Sequence, residues 1–104
     1  MKFIKGENLR KEISESKAPI LLMFWSYDCM ACDVSNQHMF KLSDIYGDKM
    51  NFYKIDSQKN LDIVEAYGIS TIPTFIFFEN GKICGKIEGY RKKIEIEKKI
   101  REFL

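Results

Sequence analysis

A chain of 104 residues holds material for one hydrophobic core and too little for two, which excludes a multi-domain machine. Hydrophobic residues make up 45%, charged residues 31% and aromatic residues 13%, a balance that predicts a folded globular domain and excludes disorder. Seventeen basic against fifteen acidic side chains leave a net charge of +2, too small to call for a nucleic acid or an anionic membrane as partner.

Residues 1–10 carry Lys2, Lys5, Glu7 and Arg10. These charges interrupt the apolar stretch that a secretory signal needs, so the expected location is the cytoplasm. Phe3-Ile4 reads as a short strand, and Glu7 to Ser14 as a short helix with Leu9 and Ile13 four apart on one face. Pro19 opens the apolar run Ile20 to Trp25. The run is far short of the roughly twenty residues of a membrane span and fits a central strand buried on both faces. From Cys29 to Tyr46 the residues Met39, Leu42, Ile45 and Tyr46 recur at helical spacing, and Gly47 supplies a stop.

Asn51 to Asp56 has strand composition. Asn60 can cap a helix carrying Leu61, Val64 and Glu65 that ends at Tyr67-Gly68. Thr74 to Phe78 is strand-like, Asn80-Gly81 is a strong hairpin signal, and Ile83 to Glu88 returns antiparallel. Ile94, Ile96, Ile100, Phe103 and Leu104 give residues 91–104 a helix with one apolar face. Residues 82–104 are mildly basic, but their charges alternate in sign as on a solvated helix face. The predicted order is β-α-β-α-β-α-β-β-α over a single domain, residues 1–104: an α/β fold with a mixed central sheet flanked by helices.

The three cysteines are Cys29, Cys32 and Cys84, an odd and unevenly spaced set that is no disulfide scaffold. Cys29-Met30-Ala31-Cys32 lies where the buried strand gives way to the long helix. Its i, i+3 spacing puts both sulfurs on one side of the first turn, close enough for a disulfide. Closing so short a loop removes little chain entropy, so the bridge suits exchange more than stapling. A helix N-terminus favours a thiolate on Cys29, the natural nucleophile, and Cys32 lies further into the helix as the resolving thiol. Two other readings stay open for the pair: small buried hydrophobes, or a metal site with His38 as a third ligand and no evident fourth. Cys84, single and on an edge strand, is expected to be a small apolar filler.

Four separated segments make the chain resemble the thioredoxin family over nearly its whole length. They are Phe24-Trp25, Cys29-Met30-Ala31-Cys32, Tyr67-Gly68-Ile69-Ser70-Thr71-Ile72-Pro73-Thr74 and Phe78-Glu79-Asn80-Gly81-Lys82. The resemblance implies a thioredoxin fold with the cysteine pair at the carboxyl end of a central strand. It also implies a cis Ile72-Pro73 peptide facing the cysteines, with the Ile72 backbone offered to an extended substrate segment and Gly89 leaving room beside it. Trp25, Tyr27 and Met30 complete the expected client surface. The implied activity is reduction of protein disulfides by a monomer. Its partners would be disulfide-containing client proteins and a flavin-dependent thioredoxin reductase, with no resident cofactor or metal, no nucleic acid and no membrane. An oxidant, an isomerase, a donor to a single client, or a non-catalytic binding or metal-carrying module are the alternatives.

The departures from the family pattern are as specific as the matches. Asp28-Cys29-Met30-Ala31-Cys32-Asp33 stands where the family usually carries Trp-Cys-Gly-Pro-Cys-Lys. Asp28 and Asp33 oppose a thiolate on Cys29, while the helix dipole favours it; capping or first-turn charge is their alternative role. Met23 occupies the buried position of the family's proton-relaying aspartate. Lys54 matches the lysine beside that acid, and without its partner it reads as a surface residue on a strand. Water or Asp33 is left to carry the proton of Cys32.

Overall fold

Residues 20–25 alternate their side chains between two faces and are apolar throughout, so the strand they form needs cover on both sides. The computed structural model, which describes residues 1–104, meets that need. Its strands are β1 (Lys2–Phe3), β2 (Ile20–Trp25), β3 (Asn51–Asp56), β4 (Thr74–Glu79) and β5 (Lys82–Glu88). Its helices are α1 (Gly6–Glu15), α2 (Met30–Tyr46), α3 (Leu61–Ala66) and α4 (Lys93–Arg101). The element order is the predicted one. The strands form one sheet in the order β1-β3-β2-β4-β5, with β1, β2 and β3 parallel and β4 antiparallel to both β2 and β5.

All six residues of β2 are buried at the centre of this sheet. Leu21, Met23 and Trp25 pack with Met39 and Leu42 of α2 and Ile96 and Ile100 of α4. Ile20, Leu22 and Phe24 pack with Leu9 and Ile13 of α1 and, at the margin, Ile63, Val64 and Tyr67. Two apolar layers therefore flank the sheet, and the carboxyl end of β2 opens directly into α2. No helix is long and apolar enough to cross a membrane.

Long-range packing alters several local expectations. The first strand is Lys2–Phe3 with both side chains exposed, while Ile4, just beyond it, donates its N–H to the Lys54 carbonyl at 2.9 Å and buries its side chain. Asn60 precedes α3 but does not cap it. Its Oδ1 accepts the Gly6 N–H at 3.0 Å, so it satisfies an otherwise unpaired amide at the start of α1, 54 residues away in sequence. Leu61 is exposed, and α3 turns Ile63 and Val64 toward the core instead. Gly47 ends α2 in a right-handed conformation, φ −63°, with its N–H on the Ser43 carbonyl. The Asn80-Gly81 turn has positive φ at both residues, 53° and 79°, as a tight hairpin turn requires. A bulge in β5 leaves Cys84 without a partner on β4, because Phe77 pairs with Gly85 and Phe78 with Ile83. Cys84 is exposed, so it does not act as the small apolar filler expected.

One inter-element contact sets an alkaline limit on stability. The Tyr53 hydroxyl on β3 donates to Glu12 Oε2 on α1 at 2.9 Å. Burial, then this bond, pushes the phenol up to about 12. A pKa above the ordinary tyrosine value of about 10 means that the stabilisation is complete below about pH 10 and is lost as the pH climbs toward about 12. Urea midpoints are expected to fall across this window, and Tyr53→Phe should flatten that alkaline limb.

Candidate active site

The turn from β2 into α2 sets the site. Cys29 is extended, φ −137° and ψ 100°, and stands as the N-cap of α2. Its Sγ accepts the Cys32 backbone N–H at 3.1 Å, doing with sulfur what a serine or aspartate oxygen usually does at this position. Asp28 is thus not the cap. The unpaired amides and the dipole of a 17-residue helix converge on this sulfur, which favours the thiolate when the pair is reduced. Cys29 and Cys32 are joined in a disulfide across a Cα–Cα distance of 5.1 Å. Cys29 is half-buried, whereas Cys32 is only 2% exposed. An incoming group therefore reaches Cys29 first.

In front of Cys29 lies the segment that precedes β4. The Ile72 carbonyl oxygen is 3.9 Å from Cys29 Sγ, and the Ile72–Pro73 peptide is cis. Neither the N–H nor the C=O of Ile72 takes part in a backbone hydrogen bond, so both are free to pair with an extended chain. Pro73 is buried, and its carbonyl accepts the Gly89 N–H at 2.7 Å. Gly89 has φ +80°, yet a Cβ there would meet nothing closer than 3.9 Å. Backbone conformation, not the room foreseen from sequence, is what calls for glycine. Tyr27 and Met30, two residues before and one after Cys29 in the chain, are 69% and 87% exposed.

Trp25 is placed differently from these. It is buried, with its ring edge-on to Tyr27 at 4.6 Å between centroids and to Phe3 at 5.9 Å. Its place is in the wall behind the disulfide. His38 is half-buried and packs near the Tyr90 ring, with its imidazole pushed down by burial and by Lys41 and Lys93.

The rear wall holds the largest surprise. Met23 pairs in register with Lys54 across β2 and β3, and both are buried. Lys54 is therefore no surface residue: its Nζ donates to Asn36 Oδ1 at 2.6 Å and lies 4.3 Å from the Phe3 ring centroid and 4.7 Å from that of Trp25. Burial lowers the pKa of this ammonium. A cavity of about 220 Å³ is lined by Met23, Cys32, Asp33, Asn36 and Lys54, among others. Asn36 escaped the sequence reading. Its signal was its place four residues beyond Cys32, one turn further along the same face of α2.

Comparison with known proteins places these features in a family. The thioredoxin family model matches residues 1–102. The thioredoxin of Chlorobaculum thiosulfatiphilum is 32% identical over 98 residues, which is 94% of this chain and 91% of that protein. Chloroplastic thioredoxin Y of rice, Oryza sativa subsp. japonica, is 36% identical over 77 residues, 74% of this chain; the aligned part is 46% of that protein. The crystal structure of the thioredoxin of Malassezia sympodialis superposes with a TM-score of 0.88 at 27% identity, over 99% of this chain and 90% of that one.

Proposed function

Because this chain belongs to the thioredoxin family, we propose that it is a dithiol–disulfide oxidoreductase that reduces disulfides of client proteins. The observation that carries the reading is the asymmetry of the pair: Cys29 Sγ sits on the amides of α2 and faces outward, and Cys32 is buried behind it. In the reduced protein the Cys29 thiolate attacks one sulfur of a client disulfide. The client S–S bond breaks, its second sulfur leaves as a thiolate and takes up a proton, and a mixed disulfide forms. Cys32 then gives up its proton and attacks Cys29 Sγ, which releases the client as a dithiol and leaves the Cys29–Cys32 bridge. Two electrons have passed to the client.

The free N–H and C=O of Ile72 support recognition by backbone pairing with an extended client segment, with Pro73 and Gly89 shaping that edge. Exposed Tyr27 and Met30 add apolar contact of low sequence selectivity, methionine being able to repack against varied partners. Trp25 contributes by supporting Tyr27 from behind. A donor of this kind has to be recharged, so the reading includes a flavin-dependent thioredoxin reductase as second partner, a monomeric state and a reducing compartment, the cytoplasm.

The reduction potential of the Cys29–Cys32 couple, equilibrated against glutathione, tests the direction of exchange. The expected value lies near about −270 mV. A value near about −120 mV would make the protein an oxidant and overturn the reading.

A further inference from the structure

We propose that Arg91 determines client specificity: its guanidinium stands beside the edge offered by Ile72 and selects clients that carry a carboxylate side chain near the attacked cysteine. This deepens the oxidoreductase reading and rests on it.

Gly89-Tyr90-Arg91-Lys92 joins β5 to α4. Gly89 is tied to the substrate edge by its N–H on the Pro73 carbonyl. A Cβ at Gly89 would have two neighbours at 3.9 Å, Thr71 Cγ2 and Arg91 Nη1. Thr71 is the residue before Ile72, so the guanidinium stands next to the start of the pairing edge. At about 3.3 Å per residue, an extended client paired with Ile72 reaches this point roughly two residues from its cysteine.

Arg91 is exposed and held in place, because Nη1 donates to the Tyr90 carbonyl oxygen at 2.8 Å. Its Nε and Nη2 donate to nothing in the protein, which leaves the edge of the guanidinium that grips a carboxylate with two parallel N–H bonds. Arg91, Lys92, Lys93 and Lys41 take part in none of the four ion pairs. The two acids nearest in sequence are engaged elsewhere: Glu88 pairs with Lys86 at 3.1 Å, and Glu95 Oε1 accepts the Lys92 N–H at 3.4 Å.

An apolar strip leads from the sulfur to this cation. Met30, Val34 and His38 follow one another at four-residue spacing on α2, with Met30 87% and Val34 43% exposed. The Tyr90 ring, 45% exposed, lies 6.0 Å from the His38 ring. Asp28 and Asp33 flank the cysteine pair with the opposite sign, so a client acid is disfavoured beside the first turn of α2 and favoured at Arg91. The occupant that fits is an extended segment with apolar side chains around its cysteine and an Asp or Glu about two residues away.

The test uses short synthetic peptides, each joined to its own copy through one cysteine disulfide. Asp, Asn or Lys is placed about two residues before or after the cysteine, and kcat/KM for reduction is measured at low ionic strength. The parent protein is expected to prefer Asp over Asn by about three- to fivefold at one of the two placements, through KM and not kcat. Added salt should shrink the preference. Arg91→Ala should bring the Asp-to-Asn ratio to about one, and Arg91→Lys, which keeps the charge without the fork, should retain part of it. Arg91→Glu should turn the preference toward the Lys peptide, a gain that damage to the fold cannot produce. Equal reduction of Asp and Asn peptides by the parent, or an Asp preference that survives Arg91→Ala and Arg91→Glu, overturns the assignment. Failure to reduce any of the peptides or a disulfide-bonded protein is instead a failure of the oxidoreductase reading.

Discussion

Replacing Cys29 by serine is expected to abolish client reduction, by on the order of a thousandfold or more, because a serine hydroxyl on the same helix cap is not ionised at neutral pH and cannot exchange with a disulfide. Cys32→Ser has a different expected outcome. Cys29 Sγ still faces outward on the amides of α2, so attack proceeds and stops at the mixed disulfide. Incubation with a disulfide-bonded protein such as insulin, followed by mass spectrometry without reductant, should show a covalent adduct with Cys32→Ser and none with Cys29→Ser. Cys84→Ser should reduce clients at the parent rate, since Cys84 lies on the exposed edge strand β5. An adduct formed equally well by Cys29→Ser would mean that the roles of the two sulfurs are reversed. Loss of activity in Cys84→Ser would bring the third cysteine into the chemistry.

Met23→Asp should produce the second large effect. Position 23 is fully buried and borders the same cavity as Cys32 and Lys54. Desolvation there raises the pKa of a carboxyl group. The sign follows: with a folded-state pKa above the unfolded one, the folded state is least penalised below about pH 4 and loses stability as the pH rises through the raised value. We expect a loss of about 2 kcal/mol at pH 7, with a smaller loss at about pH 5, measured by urea unfolding at each pH. In its ionised form the new carboxylate also neutralises Lys54, so the pH–rate profile of client reduction should differ from that of the parent. Identical profiles would show that the rear cavity takes no part in the reaction, and an equal stability loss at both pH values would show that the carboxyl group does not titrate there.

Much of this site could be read from local patterns. An apolar run bounded by Pro19 and a following helical period placed Cys29 and Cys32 at a strand-to-helix junction, and four segments spread along the chain pointed to one family. These signals are local because strand alternation, helix spacing and the reach of two sulfurs across one turn are all set within a few residues. The structure keeps the element order and alters the caps. Asn60 has the right residue type for a helix start, yet it serves α1 instead of α3, because a side-chain amide bonds whichever unpaired N–H the packing brings within reach. Leu61 on α3 and Cys84, expected as an apolar filler, both face outward for a related reason: a short helix or an edge strand has more than one face that could be covered, and only its neighbours decide which is.

The active site divides along the same line. By itself, the sequence determined the fold class, the order of the elements, the cysteine pair at a helix start and the absence of an acid at position 23. The tertiary structure alone decided that Ile72, 43 residues from Cys29, presents its carbonyl 3.9 Å from the sulfur. It also decided that Gly89 is called for by its φ of +80° and not by crowding. Above all, it decided that Lys54 is a buried cation held by Asn36 and two aromatic rings behind Cys32. The physical reason is register. Side chains on adjacent strands meet according to a pairing that shifts every neighbour when it slips by one residue, and nothing within β2 or β3 states which residue lies across from Met23.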